Sequence, residues 1–276
     1  MKIMIYLTHR VRWLGAACAA MIVVSCSTVH RPASAPGDTA NKPGSELTYA
    51  LLWYKYAAEA RALYYQAYNA ARDRLAMAIA QHANGQDRLA VILDIDETVL
   101  DNTPVQNQLA NGEVFSPEMW KAWSDKASAD ALPGAREFLC YAASNGVEVF
   151  YVSNRKTNEL AATIRNLALR NFPMTDPDHV LLQEANESKV PRRSAASANH
   201  TVVLLIGDNL NDLSEIFENV SVGERFRLTD DRREEFGRRF IVLPNPMYGD
   251  WENALYDYYR LSPSEKAAIR RRLIQP

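Results

Sequence analysis

Two carboxylates, Asp94 and Asp96, stand two residues apart directly after the apolar run Leu89 to Leu93. That run is short, apolar throughout and β-branched at Val91 and Ile92, which is how a strand buried on both faces of a parallel sheet reads. A strand ending in two such acids aims them into the crevice at the carboxyl edge of an open α/β sheet, where these folds bind ligands. Held that close, the acids would repel each other unless a cation lay between them. A hard divalent ion with oxygen ligands answers that need, and Mg²⁺ commonly takes one or two carboxylates and keeps several waters. For an isolated Asp-x-Asp the alternative is a surface loop of solvated acids.

Three later stretches carry polar groups at comparable places. Val152-Ser153-Asn154-Arg155 ends the apolar run Val147 to Val152, Ser188-Lys189-Val190-Pro191-Arg192 lies between two later runs, and Gly207-Asp208-Asn209-Leu210-Asn211-Asp212 follows Val202 to Ile206. Alone, Ser-Asn after a strand is ordinary turn chemistry, and an exposed Lys is ordinarily solvated. Gly207 predicts a close approach of backbone to an ion. Asp212 falls one helical turn after Asp208, where it would orient Asp208 or a metal-bound water, or cap the following helix.

The elements that must position these groups alternate. Pro133-Gly134 opens a helix that runs to Ser144 and stops at Asn145-Gly146, a further helix covers about Glu159 to Arg170, and Val180 to Leu182 is a short strand. Strands alternating with helices of this length argue for a parallel three-layer α/β sheet. From Ser45 the spacing of Leu47, Leu51, Tyr54, Ala58, Ala62 and Tyr65 predicts a long helix or a pair, with Asn84-Gly85 as its stop. The aromatics there (Trp53, Tyr54, Tyr56, Tyr64, Tyr65, Tyr68) read as core packing rather than a ligand box. Thr103 to Asp130, with Phe115, Trp120 and Trp123, reads as irregular.

The chain of 276 residues is 47% hydrophobic, enough for one large domain with a buried core. Its start is basic at Lys2, Arg10 and Arg12, apolar from Trp13 to Val24, and then reaches Val23-Val24-Ser25-Cys26. Twelve apolar residues suit a signal-peptide core better than a membrane span. Small residues before Cys26 resemble a bacterial lipobox, which implies a lipid on Cys26; Thr28, not Asp, two residues on implies passage to the outer membrane. Ordinary cleavage beside an incidental Cys is the alternative. Residues 27–44 have a tether's composition. Loss of residues 1–25 removes those three bases and no acid, leaving 28 basic and 33 acidic side chains, a balance of −5. Binding to a nucleic-acid polymer is therefore not expected. Cys140, on an apolar helical stretch, reads as a small core residue.

Asp94-Ile-Asp-Glu-Thr-Val-Leu-Asp-Asn102 resembles the first motif of the haloacid dehalogenase-like (HAD-like) phosphohydrolases, and within them the class C acid phosphatases and 5'-nucleotidases that are bacterial lipoproteins. The likeness continues at Ser153, Asn154, Arg155, Lys189, Asp208 and Asp212, and in Pro244-Asn-Pro-Met-Tyr-Gly249. It implies an α/β fold with a Rossmann-type parallel-sheet core over residues 45–276 and a smaller helical cap around 45–84 and 103–131. It further implies that Asp94 is a nucleophile forming an aspartyl-phosphate and that Asp96 is kept protonated as general acid, then serves as base. Ser153, Asn154 and Lys189 would bind the phosphoryl group, with Lys156 as a competing cation. Mg²⁺ would sit on the Asp94 carboxylate, the Asp96 carbonyl and Asp208, with Asp212 behind them. Phe115, Trp120 and Tyr248 would stack on a nucleoside, or alternatively pack the cap. The implied activity is Mg²⁺-dependent hydrolysis of small phosphate monoesters, nucleoside monophosphates foremost, with an acidic optimum. Phosphoryl transfer to another alcohol and a non-catalytic lipid-anchored binding protein are the other readings. Val105 and Leu213 stand where the family commonly has an aromatic and Phe, which leaves substrate preference open. A homodimer is compatible with the sequence, but no motif specifies one.

Overall fold

The computed structural model describes residues 45–275 apart from 84, 86, 87 and 186. The expected signal peptide, the tether and Cys26 lie outside the described residues. In chain order the elements are α1 (Ser45–Tyr56), α2 (Ala58–His82), β1 (Leu89–Leu93), β2 (Leu100–Asp101), α3 (Thr103–Ala110), α4 (Pro117–Ser124), β3 (Asp130–Ala131), α5 (Ala135–Ser144) and β4 (Glu148–Lys156). Then follow α6 (Leu160–Leu169), β5 (Val180–Gln183), α7 (Val190–Ser197), β6 (Thr201–Gly207), α8 (Leu210–Leu213), α9 (Val222–Asp231), β7 (Phe240–Val242), α10 (Asp250–Leu255) and α11 (Pro263–Leu273). None of the described helices is long and apolar enough to cross a membrane.

Five strands form a parallel sheet in the order β5-β4-β1-β6-β7. The chain builds outward from β1 to β4 and β5, then returns to β6 and β7, so a switch in direction falls beside β1. Leu93 pairs with Tyr151 on one side and Ile206 on the other, which brings Asp94, Ser153 and Asp208 to one edge. Side chains alternate along β1. Val91 and Leu93 enter a core shared with Ala71 and Leu75 of α2 and Phe138 and Leu139 of α5, while Ala90 and Ile92 face Ala196 of α7 and Leu213 of α8. Both faces of the sheet are thereby covered, which is why β1 is apolar without a break.

Several expectations change. The first helical region is the pair, one of the two forms expected, and it breaks at Ala57 in extended backbone. The break moves the apolar face. Leu51 and Tyr54 are buried before it and Ala60, Tyr64, Tyr68, Ala71 and Leu75 after it, whereas Ala58, Ala62 and Tyr65 are exposed. Trp53 and Tyr56 are exposed too, so only three of the six aromatics pack inside. The α2 helix lies on the sheet, and α1 packs against α3. Thr103 to Asp130 is not irregular. It holds α3 and α4, the latter capped by Ser116 Oγ accepting from Met119 N at 3.1 Å with Pro117 in its first turn. A short antiparallel pair, Leu100 with Ala131 and Asp101 with Asp130, closes that insertion at its base. Cys140 is exposed, because the buried face of α5 is Ala135, Phe138, Leu139 and Ala142.

Candidate active site

The turn after β1 is wound tightly. The Ile95 carbonyl accepts from Val99 N and Leu100 N, both at 2.9 Å, and Glu97 takes a left-handed backbone with φ of 52°. A positive φ at a non-glycine residue needs support from its surroundings. Here it comes from α2. Tyr64 Oη donates to the Glu97 carbonyl at 2.6 Å and Tyr68 Oη to the Thr98 carbonyl at 2.8 Å, while Tyr54 Oη pairs with Tyr64 Oη. The Glu97 side chain is fully buried; Oε1 accepts from Asn102 N at 2.9 Å and Oε2 from Tyr248 Oη. Burial first, then Asp96 and Asp208, push its carboxyl well above the ordinary range.

With the turn held, the acids converge. One carboxylate oxygen from each of Asp94, Asp208 and Asp212 lies within 4.8 Å of the others. The Lys189 ammonium, almost fully buried, donates to Asp94 Oδ1 and, at 2.7 Å, pairs with Asp212 Oδ1. Asp212 Oδ2 accepts from Asn209 N at 2.9 Å; Asp208 accepts from Thr98 Oγ1 at 3.3 Å and from Asn245 Nδ2 at 2.7 Å. Gly207 has a different use from the one expected. A Cβ there would overlap the Asp212 side chain, so the glycine makes room for that acid rather than for an ion.

The Asp94 carboxyl is raised to about 7: burial drives it up, Lys189 pulls it down, and Asp212 and Asp96 push it up again. Asp208 is likewise raised, by burial and then by Asp212 and Asp94. Two buried acids, Asp94 and Asp212, share one ammonium with the half-buried Asp208 beside them, and oxygen donors so arranged fit a hard divalent cation. The other cation considered, Lys156, donates to Gln183 Oε1 on β5.

Asp96 turns away from this cluster. Its Oδ1 accepts from Arg155 Nη2 at 2.7 Å, Arg155 Nε at 3.0 Å and Asn102 Nδ2 at 2.9 Å; Oδ2 accepts from Ser153 Oγ at 3.3 Å. Every one of these partners donates. That arrangement suits a carboxylate and differs from the resting proton expected on Asp96. Arg155 is buried with its guanidinium 5.5 Å from the Trp120 ring centroid. Ser153 is fully buried, its hydroxyl spent on Asp96 and on the Arg155 N–H at 3.2 Å, so it lies behind the wall rather than on it.

Asp94, Asp96, Asn154, Lys189, Asp208 and Asp212 line one cavity of about 970 Å³, and Phe115, Trp120 and Tyr248 line it as well. The α4 helix supplies much of the wall facing the acids. Residues the sequence reading did not single out complete the support: Glu97 and Asn102 on the turn, Asn245 against Asp208, and Arg192 behind Asn154. All four stood within stretches already marked: Glu97 and Asn102 in the first motif, Arg192 in Ser188 to Arg192, and Asn245 in Pro244 to Gly249.

A family model described as HAD superfamily, subfamily IIIB (acid phosphatase) matches residues 19–251. Among solved structures, the class C acid phosphatase from Bacillus anthracis is 44% identical and superposes with a TM-score of 0.81, covering 86% of this chain and 99% of that one. A crystal structure of the Bacillus anthracis enzyme with tungstate bound gives 0.80 at 43% identity, with the same coverage. A stem 31 kDa glycoprotein of Glycine max is 28% identical over 164 residues, 57% of this chain, and the match spans 58% of that relative's length.

Proposed function

Because the chain belongs to the acid phosphatases of the HAD superfamily, subfamily IIIB, we propose that it hydrolyses small phosphate monoesters with Mg²⁺ through an aspartyl-phosphate on Asp94. The observation that carries this reading is the Asp94 carboxylate itself, at the tip of the central strand, bonded to Lys189, grouped with Asp208 and Asp212, and open to a cavity of about 970 Å³. Tungstate, an oxyanion bound by the Bacillus anthracis relative, supports a pocket of the right charge preference. Asp94 and Asp208, with the Asp96 carbonyl, would hold Mg²⁺, and Asp212 would steady them. The ion, when bound, neutralises charge on the phosphoryl oxygens.

Asp94 attacks phosphorus in line, its carboxylate oxygen forming the new bond as the ester P–O bond breaks. Asp96 hands a proton to the departing alkoxide. Water then attacks the aspartyl-phosphate, Asp96 takes the water's proton, and phosphate leaves with Asp94 restored. Catalysis of this kind by one positioned acid and base contributes about 10²- to 10⁴-fold. Since the partners of Asp96 all donate, its proton must arrive with the substrate or from solvent, and a monoester whose second pKa is about 6 brings one below that pH. An acidic optimum follows. The experiment is phosphate release from p-nitrophenyl phosphate and from nucleoside monophosphates by the purified full chain. Turnover is expected to vanish in EDTA and return with Mg²⁺; turnover indifferent to chelation would overturn the metal, and none with any divalent ion would overturn the hydrolase.

The preferred substrates are nucleoside 5'-monophosphates. Phe115, Trp120 and Tyr248 share the cavity with the acids, and the Tyr248 hydroxyl is tied to Glu97, which fixes its ring at the site's edge. A base stacked on an aromatic ring gains about 1 to 3 kcal/mol. Tyr248→Ala is therefore expected to lower kcat/KM for a nucleoside monophosphate about ten-fold or more while sparing glycerol phosphate, since 1.4 kcal/mol is about ten-fold. Equal losses on both substrates would make Tyr248 a residue of the fold alone.

For location, the lipobox-like Val23-Val24-Ser25-Cys26 supports an outer-membrane lipoprotein with its domain facing the periplasm or the cell surface. Cys26→Ser is expected to move the chain from the membrane fraction and to end palmitate labelling. Unchanged fractionation and labelling would refute the anchor.

A further inference from the structure

Arg192 reaches the edge of the site without facing the cavity. It sits in the first turn of α7, three residues after Lys189, and is buried. Its guanidinium is shared among three carriers of site residues: Nη1 donates to the Ser153 carbonyl, and Nη2 donates at 3.1 Å both to Asn154 Oδ1 and to the Ser188 carbonyl. One rigid fork thus ties the end of β4, with Asn154, to the segment that presents Lys189. The fork carries donors only.

That last property decides which way Asn154 points. A side-chain amide has an accepting and a donating end, and interchange of the two ends keeps its shape while reversing what it offers. With Arg192 donating to Oδ1, the accepting end is turned inward and the NH₂ end is left for the cavity that Asn154 lines. An NH₂ offered there donates to an oxyanion; an Oδ1 offered there would repel one. We propose that Arg192 is a positioning residue which, through Asn154 Oδ1, holds the Asn154 amide with its NH₂ toward the cavity and so sets the affinity for a tetrahedral oxyanion that Arg192 does not contact. This rests on the reading of the cavity as a phosphoryl site.

The test is a double-mutant cycle on the full chain, read as inhibition by inorganic phosphate of p-nitrophenyl phosphate hydrolysis, with Tm measured for every variant. Arg192→Lys keeps the charge but replaces the planar fork by one ammonium. Loss of a hydrogen bond to a charged group is worth about ten-fold in affinity, so Arg192→Lys and Asn154→Ala are each expected to raise the phosphate inhibition constant by about that factor. In the Asn154→Ala background, Arg192→Lys is expected to add less than about two-fold, because the two residues act through one contact. A residue that merely braces α7 would give losses that multiply, and that result would overturn the proposal while leaving the phosphatase reading intact. Asn154→Asp supplies an arm that does not depend on Arg192→Lys folding. It keeps the acceptor for Arg192 and removes the donor, so Tm is expected to hold while phosphate binding falls at least as far as in Asn154→Ala. Wild-type affinity in Asn154→Asp would overturn the proposal. A wild-type chain that hydrolyses nothing would instead overturn the phosphatase reading, and this inference with it.

Discussion

Asp94→Asn is expected to abolish turnover and leave the fold standing. The amide has the shape of the acid and retains an Oδ1 able to accept from Lys189, so the bond made by that buried ammonium survives. It has no anionic oxygen to attack phosphorus. Removal of the covalent nucleophile of a serine protease costs on the order of 10⁶-fold, and a loss of at least about 10⁴-fold is expected here. The substitution also removes one carboxyl from a buried group in which burial first, then Asp212 and Asp96, hold Asp94 up at about 7 against the pull of Lys189. Metal-free Asp94→Asn should accordingly melt no lower than wild type near neutral pH, with like-charge repulsion relieved. Phosphate release and thermal denaturation in EDTA check both halves. Turnover within ten-fold of wild type would remove Asp94 from the role of nucleophile.

How far the sequence announces this site depends on how local each partner is. Asp94, Asp96 and Asp208 were legible because they follow short apolar runs that read as buried strands, and a parallel sheet collects strand ends at one edge. Tyr64 and Tyr68 were legible as core and no further. Their partners Glu97 and Thr98 lie 33 and 30 residues away, and no spacing along α2 predicts that their hydroxyls hold up the turn after β1. Arg192 and Asn245 are more distant still, 38 residues from Asn154 and 37 from Asp208; both stand in marked stretches, but nothing in those stretches names their partners. The α3 and α4 helices escaped because the side chains they bury include Thr103, Gln106 and Ser124, which break the apolar period, although Ser116-Pro117 is a helix-start signal. The shift of face at Ala57 has no Gly or Pro to mark it. Cys140 was misplaced by reading an apolar stretch whole instead of by its 3.6-residue period.

Lys189→Met is expected to have the largest effect on stability. The lost ammonium is the one that Asp94 and Asp212 both bind, and Asp208 stands beside them. Breaking a buried pair by removing one partner costs about 3 to 5 kcal/mol, because the remaining charge is left buried without compensation. The pH dependence has a definite sign. An acid whose folded pKa is raised, as Asp94 is from 3.8 to about 7, holds its proton more tightly folded than unfolded. Its contribution to stability is therefore present below the unfolded value and is lost as pH rises through the folded one. Lys189 lowers the Asp94 carboxyl, so its removal extends that loss to higher pH. In EDTA the Tm of Lys189→Met should fall between pH 5 and pH 8 by more than that of wild type. Mg²⁺ binds ionised oxygens and not protonated ones, so it should raise the Tm of the variant more at pH 8 than at pH 5, standing in for the missing cation. Turnover should drop as well, by on the order of 10²- to 10³-fold, the scale for removing one group that stabilises developing charge. Calorimetry at the two pH values, with and without Mg²⁺, decides the matter: a Tm that ignores both pH and Mg²⁺ would mean that Asp94, Asp208 and Asp212 are not the uncompensated cluster described above.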